Sequence, residues 1–415
     1  MIPTEQQRHL SWAIVMFFFA GSVLSYTDRA LLGVVLPQIR KDLSLSNTQY
    51  SLTIDAFLIM YTIFYIVGGR IADRIGTRRA FSLNIVFWSL ASMAHAMTGG
   101  VVGLCIFRGL LGIGEGGFLP TAMRGIMEWF HPDNRAKAVG LLMCGITLGL
   151  LLTPPIAAWV TFHYGWRMAF LVTGFAPLLL LLPWSWLHRR VQAVYGTLDP
   201  VPVHSPKDEL PLRRDIPLRQ VLRRSKYWFF LFARAFPDAV TFFYLFWLPG
   251  YFQDVRHYDL KKVGTLLWIP FFCAGLGALA GGWLSGALIR RGQGLSQSRK
   301  TALFLSAGCC ILGATAFLAP TPTLALELVS LALFGHFAWS SNIQTVVTEV
   351  VPRKHMATLY GITGAVGTLI AALTQPLVGY AVDVVGYGPA FIGTAATYML
   401  ALGMLLGGGK IKSID

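Results

Sequence analysis

Twelve apolar stretches, each long enough to cross a lipid bilayer, occupy most of this 415-residue chain. A membrane-spanning helix needs about 20 mostly apolar residues, and inside lipid only helices and closed barrels satisfy every backbone amide. The sequence therefore predicts an all-α integral membrane protein with twelve transmembrane helices. The predicted spans are residues 11–36, 48–69, 80–98, 101–123, 138–160, 168–187, 227–252, 263–289, 301–319, 323–347, 357–380 and 386–408.

The basic residues are distributed unevenly between the two sides of these spans. With the N-terminus in the cytoplasm, the cytoplasmic segments hold 25 of the 34 Lys and Arg residues, against six outside and three within spans. This excess is the positive-inside pattern of membrane proteins, and it explains the net charge of +15 without nucleic-acid binding. We expect a multi-pass protein of the cell inner (plasma) membrane with both termini in the cytoplasm.

One long connection divides the spans into two groups of six. It runs from His188 to Lys226 and is rich in Pro, Arg and Lys, a composition typical of a domain boundary. The predicted division is an N-terminal six-helix bundle at 1–187, a cytoplasmic linker at 188–226 and a C-terminal six-helix bundle at 227–415.

The two groups of spans also repeat one another in sequence. From Pro132, the residues Gly140, Pro155 and Phe170 lie 8, 23 and 38 positions on; from Pro352, Gly361, Pro376 and Phe391 lie 9, 24 and 39 positions on. Repeated halves are how many secondary transporters are built. The fold predicted is therefore two pseudo-symmetric six-helix bundles.

Four charged residues lie inside spans 1 and 4, where charge is costly and generally functional. Asp28 and Arg29 are neighbours in span 1, and Arg108 begins a seven-residue interval in span 4 that ends at Glu115. That interval is about two helical turns, so Arg108 and Glu115 share a face. The glycines around Glu115 let another helix approach closely.

This combination has the chemistry of a proton-coupled anion carrier. An arginine fork binds a carboxylate through two hydrogen bonds, and carboxyl groups in a low-dielectric site bind and release protons near physiological pH. The structural alternative is a set of salt bridges between helices, and for Asp28 and Arg29 simple neutralisation of adjacent charges. Nothing in the chain has the pattern of a nucleophile triad, a phosphate-binding loop or a metal site, so we expect no enzyme activity, no cofactor and no metal.

Span 7 carries a second charged pair and two polar aromatic residues. Arg234 and Asp238 are spaced i,i+4 and are able to pair on one helix face; the alternative is that Arg234 extends its charge towards the nearer membrane surface. Tyr244 and Trp247 follow in the same span. Tyr61, near the middle of span 2, needs a partner for its hydroxyl group and is a candidate substrate contact.

Several motifs along the chain resemble the anion:cation symporter family of the major facilitator superfamily. They include Tyr26-Thr27-Asp28-Arg29, the run from Phe107 to Gly117, Glu128-Trp129-Phe130 and the loop from Gly69 to Arg79. Tyr244 to Pro249 and Gly335 to Asn342 resemble its hexuronate transporter branch. The resemblance implies the major facilitator fold and proton-coupled uptake of an organic acid by alternating access.

The resemblance also implies roles for individual residues. Asp28 and Glu115 match the family's protonated acids, Arg29 and Arg108 match their charge partners, and Tyr26 and Tyr61 match substrate-facing tyrosines. Which arginine binds substrate stays open. The cytoplasmic gate implied by the signature loop consists of Gly69, Asp73, Arg74, Gly76 and Arg78. The equivalent loop between spans 8 and 9 carries Gly286 in place of the acid. This predicts a weaker gate contact at the second loop.

The chain departs from the hexuronate branch where sugar hydroxyl groups would be bound. Span 5 reads Met143-Cys144-Gly145-Ile146-Thr147 in place of a polar run, and span 11 has Gly364 and Thr368 in place of two asparagines. Thr147 and Thr368 are the remaining candidate contacts there. Hydroxyl groups add to binding only where the pocket offers them hydrogen-bond partners. A smaller or less hydroxylated carboxylate is therefore favoured as the substrate.

We therefore predict a symporter that imports an organic acid anion, a sugar acid or smaller carboxylate, together with protons. The alternative is a proton-coupled exporter of a drug or metabolite, which the loss of the span 5 polar groups keeps open. The expected partners are the organic anion, protons and the lipid bilayer, and the expected form is a monomer.

Overall fold

The computed structural model describes residues 5–130, 132–195, 218–351 and 356–412, and within these ranges the chain is helical apart from turns and short connections. Most of the predicted linker at 188–226 lies outside the described residues, because 196–217 are not among them. The all-α prediction is confirmed.

Fifteen α-helices are found in the described residues, with short 3-10 turns at His95–Met97, Ala176–Leu180 and Ala314–Leu318. The helices are α1 (Glu5–Leu43), α2 (Asn47–Ala94), α3 (Val101–Gly116), α4 (Phe118–Trp129), α5 (Pro132–Tyr164), α6 (Trp166–Phe175), α7 (Leu181–Tyr195), α8 (Leu218–Arg223), α9 (Ser225–Asp254), α10 (Leu260–Leu266), α11 (Trp268–Arg290), α12 (Leu295–Gly313), α13 (Pro322–Val350), α14 (Met356–Val384) and α15 (Gly388–Gly407).

Eleven continuous helical segments in the described part of the chain are long and apolar enough to cross a membrane. The difference from twelve predicted spans arises in α2, whose 48 residues include predicted spans 2 and 3. At Gly76 the backbone leaves the helical conformation, with φ 81° and ψ 155°, values that glycine adopts without strain. Two helices therefore meet at this kink, in the loop where the sequence predicts a break between spans 2 and 3.

The chain divides into two compact units. The first unit consists of Met1–Leu45, Leu52–Glu209 and Val263–Thr265; the second consists of Ser46–Ser51, Leu210–Lys262 and Leu266–Asp415. The first turn of α2 thus belongs to the second unit, while the rest of α2 belongs to the first.

Glycines allow close helix contacts in the first unit. A Cβ atom added at Gly116 of α3 would lie 2.7 Å from the carbonyl oxygen of Tyr61 in α2, and one added at Gly114 would lie 2.6 Å from the backbone nitrogen of Trp88. The glycine-rich run was predicted to pack against a neighbouring helix, and this is confirmed. The close approach fixes the depth of Glu115 relative to α2.

The second unit uses the same device between α11 and α13. A Cβ atom at Gly281 would lie 2.6 Å from the carbonyl oxygen of Ala338. Its core is dominated by aromatic residues of α9, including Trp247 and Tyr251, which are fully buried. Tyr251 donates to the carbonyl oxygen of Ala316 at 2.9 Å, which ties α9 to the end of α12.

Candidate functional site

A buried ion pair joins α1 to α3 at the centre of the first unit. Arg29 donates to Glu115 Oε2 from Nε at 3.0 Å and from Nη2 at 2.7 Å, and the two side chains are only 3% and 0% exposed. Both donors of the guanidinium edge therefore converge on one carboxylate oxygen. Charge-assisted bonds of this kind are among the strongest in proteins.

Aromatic rings enclose the guanidinium group of Arg29. Its Cζ atom lies 4.4 Å from the ring centroid of Tyr26, 4.6 Å from that of Tyr61 and 5.2 Å from that of Phe57. Contact with ring faces stabilises a cation, most strongly where water is excluded. The structure thus brings the predicted residues Tyr26 and Tyr61 to the same arginine, and Phe57 joins them.

Asp28 points away from this pair. Its Oδ1 atom accepts a hydrogen bond of 3.0 Å from Ser92 in α2, and its side chain is fully buried. Successive residues of a helix project about 100° apart, so Asp28 and Arg29 reach different neighbours. The alternative in which these two adjacent charges neutralise each other is wrong, because Arg29 pairs with Glu115 instead.

Arg108 supplies the second buried positive charge of this region. Its side chain is fully buried on α3, with Cζ 5.8 Å from the ring centroid of Phe57. Phe57 therefore lies near both arginines. Together, Asp28, Arg29, Arg108 and Glu115 form a buried group of two acids and two bases, which we call the charged core of the first unit.

The predicted pair on span 7 is present in α9 of the second unit. Arg234 Nη1 donates to Asp238 Oδ2 at 3.2 Å, and the side chains are 12% and 29% exposed. This confirms the i,i+4 contact. The pair is more accessible than the one between Arg29 and Glu115.

The remaining predicted contact residues of the second unit are held by protein groups. Trp247 donates from Nε1 to Gln375 Oε1 at 2.8 Å, and Tyr244 packs against Phe391 with ring centroids 6.4 Å apart. Thr368 donates its hydroxyl group to the carbonyl oxygen of Gly364 at 3.0 Å, four residues back on α14. These side chains are buried or nearly so.

In the first unit, Thr147 is partly exposed on α5 and Gly145 in the same run packs on α1. A Cβ atom at Gly145 would lie 2.6 Å from the carbonyl oxygen of Phe19. Met143 and Ile146 are also partly exposed. The apolar run therefore contributes side chains to an accessible surface rather than only to the packed interior.

The predicted gate residues lie around the kink of α2. Asp73 accepts a hydrogen bond of 3.2 Å from Arg124 of α4, while Gly76 forms the kink itself. The carbonyl oxygen of Arg78 accepts from the indole nitrogen of Trp184 at 3.3 Å. Gly69 lies near Pro120, since a Cβ atom there would be 3.6 Å from the proline Cβ, and the side chain of Arg74 is exposed.

The sequence alone did not indicate that Arg124 is the partner of Asp73. Arg124 also donates to the carbonyl oxygen of Ala72 and pairs with Glu128, and Glu128 accepts 2.6 Å from Thr77. In the sequence, Glu128 stands out only as part of the Glu128-Trp129-Phe130 motif. The i,i+4 spacing of Arg124 and Glu128 on one helix is the sequence feature that indicates their contact.

A comparable cluster occurs in the second unit, where the signature loop has lost its acid. Arg299 of α12 donates to Glu349 of α13 from Nη2 at 2.9 Å and to Ser285 Oγ of α11 from Nη1 at 2.7 Å. Ser285 directly precedes Gly286. A glutamate on another helix therefore supplies the negative charge that this loop lacks.

Comparison with known proteins gives a consistent result. A family model described as Major Facilitator Superfamily matches residues 18–373. The hexuronate transporter of Bacillus subtilis (strain 168) is 30% identical to this chain, over 90% of this chain and 88% of that protein. The D-galactonate transporter of Escherichia coli O6:H1 (strain CFT073) is 29% identical, over 99% and 97%.

Among solved structures, the crystal structure of a D-xylose-proton symporter has the same fold. The two superpose with a TM-score of 0.75 at 16% identity, covering 97% of this chain and 98% of that one. The family match extends over most of the chain, and the predicted major facilitator fold of twelve transmembrane helices is confirmed. The chain belongs to the Major Facilitator Superfamily and is a multi-pass membrane transporter, not an enzyme.

Proposed function

We propose that this protein is a symporter that imports an organic acid anion together with protons by alternating access. The observation that carries the proposal is the buried pair of Arg29 and Glu115. Relatives named as hexuronate and D-galactonate transporters support an organic acid as the substrate class. Arg29 is the arginine that we assign to the substrate carboxylate.

Coupling follows from competition for one guanidinium group. Both donors of Arg29 that contact Glu115 are used by a single carboxylate oxygen. A substrate carboxylate has the same geometry and charge as Glu115, so it gains the fork only when Glu115 releases it. Protonation of Glu115 removes the negative charge that holds Arg29, and the substrate then takes its place.

Charge balance gives the same direction of coupling. The charged core holds two acids and two arginines in a fully buried region, and its formal charge is zero when all four are ionised. An added carboxylate introduces an unbalanced charge, which is costly away from water. One proton on Glu115 or Asp28 restores neutrality, so a monocarboxylate requires at least one proton.

Residues of α5 and α14 limit the number of substrate hydroxyl groups that the protein can bind. Met143 and Ile146 offer no side-chain hydrogen bond, and Thr368 already donates to Gly364. Few side-chain groups thus remain for several hydroxyl groups, and we propose a sugar acid with few hydroxyl groups or a smaller carboxylate. Thr147 is the hydroxyl-bearing contact that we propose in the first unit, and Tyr244 and Trp247 are the contacts that we propose in the second.

The same proposal includes the wider arrangement of the protein. Asp73 with Gly69, Arg74, Gly76 and Arg78 forms the cytoplasmic gate, closed in part through Arg124. Both termini lie in the cytoplasm, the membrane is the cell inner membrane, and the bundles at 1–187 and 227–415 are joined by the linker at 188–226. The protein acts as a monomer.

The test is transport by the purified protein in liposomes with an imposed pH gradient. Uptake of radiolabelled D-galactonate, D-glucuronate and L-lactate is measured with an alkaline interior, an acidic interior and no gradient. We expect concentration of one acid inside when the interior is alkaline. The Glu115→Gln variant should lose this accumulation, and the exposed Glu327→Gln variant should retain it as the matched control.

Two results would contradict the proposal. Accumulation of all three acids at the same rate with and without a pH gradient would exclude proton coupling. Efflux of a panel acid that is accelerated by proton entry in the opposite direction would assign the protein to export.

A further inference from the structure

Several buried polar atoms of the first unit are left without a hydrogen-bond partner in the described part of the chain. They include Asp28 Oδ2, Ser89 Oγ, His95 Nε2 and Thr173 Oγ1, on side chains that are at least nine-tenths buried. A buried polar group that lacks a partner costs about 1–3 kcal/mol. Four such groups in one region indicate that another molecule satisfies them.

These groups lie along one contact between α2 and α6. Ser89, Ser92 and His95 follow one another at successive turns at the end of α2, and a Cβ atom at Gly174 of α6 would lie 3.0 Å from the carbonyl oxygen of Ser89. The ring of His95 stacks on Phe170 of α6 at 4.8 Å with an interplanar angle of 10°. We call Ser89, Ser92, His95 and Thr173 the α2–α6 seam.

Asp28 lies beside the seam at the level of Ser92, one helical turn outward from Ser89. Ser92 donates to its Oδ1 atom, and the hydroxyl group of Thr173 lies within interaction range of the same carboxyl group, although Asp28 Oδ2 and Thr173 Oγ1 do not meet the geometry of a direct hydrogen bond. A water molecule needs two to four polar partners in a buried site. Asp28 Oδ2 and Thr173 Oγ1 are two such partners on opposing helices.

The outer end of the seam is close to the surface. His95 begins the 3-10 turn His95–Met97, which directly follows α2, and Met97 is exposed. Next to it, the carbonyl oxygen of Thr98 accepts from Arg167 at 3.4 Å, and Arg167 is itself paired with Asp42 at an exposed position. The seam therefore runs from the solvent-exposed end of α2 to the buried acid.

His95 has a defined orientation in the seam. Its Nδ1 atom lies 2.8 Å from the carbonyl oxygen of Ala91, and because a carbonyl oxygen only accepts, Nδ1 carries a hydrogen. In the neutral ring Nε2 is then an acceptor. Nε2 therefore offers an acceptor for a water molecule between the surface and Ser92.

The repeat provides an internal comparison. Thr173 follows Phe170 by three residues, and Thr394 follows Phe391 by three residues in the equivalent segment of the second unit. Thr394 donates to the carbonyl oxygen of Phe391 at 2.7 Å and is satisfied within its own helix. Thr173 differs from its counterpart in being directed at a buried acid.

We propose that the α2–α6 seam is a hydrated proton path that leads to Asp28 and is separate from the carboxylate site at Arg29. The path is formed within the first unit alone. This inference rests on the proposed role of Asp28 as a proton-binding residue. It assigns Ser89, Ser92, His95 and Thr173 as positioning residues for water.

The proton step follows from the donors and acceptors on the path. A hydrated proton enters at the exposed end of α2 and is passed between water molecules, each of which gives up one O–H bond as it gains another. The last water transfers a proton to Asp28 Oδ2, and the carboxylate becomes a neutral acid that keeps the hydrogen bond from Ser92. The charged groups that act on the path are Arg108, which faces both Asp28 and His95, and Glu115, which faces Asp28.

The test follows the proton on Asp28 directly and needs no substrate. Infrared difference spectra of the purified protein between acidic and alkaline pH are recorded, and the carboxyl band that disappears in Asp28→Asn is assigned to Asp28. Its rate of hydrogen–deuterium exchange is then measured after rapid transfer to deuterated buffer. We expect Thr173→Val to slow this exchange about tenfold or more, and Ser89→Ala with Thr173→Val to slow it further.

Two further variants separate a proton path from a packing defect. Thr173→Ser keeps the hydroxyl group and should restore the native exchange rate, and Thr394→Val removes the equivalent hydroxyl group of the second unit and should not change it. Native exchange in the Thr173→Val and double variants, with the Asp28 band still titrating, would overturn the proton path and leave the proposed function standing. A spectrum with no titrating Asp28 band would overturn the role of Asp28 itself.

Discussion

The two units of this transporter treat buried charge in opposite ways. The first unit encloses two acids and two arginines, with the Arg29–Glu115 pair almost inaccessible to solvent. In the second unit, the ion pairs Arg234–Asp238 and Arg299–Glu349 keep exposed fractions of 12–29%. The interior of the second unit is held instead by neutral bonds such as Trp247 to Gln375.

This difference supports the proposal that the first unit binds the proton and the anion, because charge inside a membrane protein is costly and generally functional. The interior of the second unit is built mainly from aromatic side chains. His336 illustrates the difference, since it bridges Thr241 at 2.7 Å and Tyr398 at 2.5 Å within a neutral network.

The largest effect is expected from changing the two arginines in parallel. Arg29→Lys keeps the charge but loses the fork, so two charge-assisted bonds become one at most. Each is worth about 1.5–3 kcal/mol, and uptake should fall about 10–100-fold. Arg234→Lys should reduce uptake less than tenfold, because its pair is partly exposed and rests on a single hydrogen bond.

Initial rates of uptake into liposomes at matched protein content check this prediction. Both variants should still unfold in one cooperative thermal transition, which excludes misfolding as the cause, although Arg29→Lys should melt at a lower temperature than the native protein. Equal losses in the two variants would remove the distinction between the units.

The next effect concerns the close packing that positions Glu115. In Gly116→Ala the added methyl group meets the Tyr61 carbonyl oxygen at 2.7 Å and Phe64 Cβ at 3.0 Å. Overpacking of this kind typically costs about 1–3 kcal/mol, and thermal stability should fall. In Gly140→Ala nothing lies within 4 Å of the new Cβ atom, and stability should be unchanged or higher.

Thermal unfolding of the two alanine variants in the same detergent measures the difference. A melting temperature of Gly116→Ala at or above that of Gly140→Ala would show that α3 and α2 do not depend on this approach.

A smaller effect is expected on specificity. A Cβ atom at Gly364 meets nothing within 4 Å, so Gly364→Asn is tolerated sterically and restores an amide to α14. Together with Met143→Asn in α5, it should raise the preference for D-galactonate or D-glucuronate over L-lactate about tenfold, since one hydrogen bond contributes about 0.5–1.5 kcal/mol.

Competition of unlabelled acids against the best transported acid gives this preference. The apolar pair Met143→Leu and Gly364→Ala is the control for added volume. Strong and selective competition by D-glucuronate in the native protein would show that other groups bind its hydroxyl groups.

The smallest effect is expected at the partly exposed cluster of the second unit. Arg299→Lys retains a charge next to Glu349 but loses the bond to Ser285, and partly exposed ion pairs contribute about 0–1 kcal/mol. The melting temperature should shift by less than in Gly116→Ala. A larger shift would show that Arg299 contributes more to the stability of its unit than the helix contact at Gly116 contributes to the first.

The sequence predicted the helices well because apolar length is a local property. It also predicted the i,i+4 contact of Arg234 with Asp238 and the close packing of the glycines around Glu115, which depend on helix geometry alone. The break between spans 2 and 3 was also predicted, because a glycine in a charged loop between two apolar stretches favours it. The backbone at Gly76 is non-helical, with φ 81° and ψ 155°.

Partner choice over long separations could not be predicted from the sequence. Arg29 and Glu115 are 86 positions apart, and their contact depends on which faces of α1 and α3 meet. The same holds for Ser92 with Asp28 and for Arg124 with Asp73. The sequence identified the charged residues, and packing determined how they pair.

The central claim is that protonation of Glu115 breaks its ion pair with Arg29 and frees Arg29 for the substrate carboxylate. The variant Glu115→Gln tests this claim most directly. Liposomes containing this variant are assayed for accumulation under an alkaline-inside gradient and, separately, for exchange of labelled against unlabelled acid without a gradient. A neutral amide resembles the protonated state of Glu115, so we expect exchange to persist and accumulation to be lost. Accumulation at the native level would contradict the role of Glu115 in coupling.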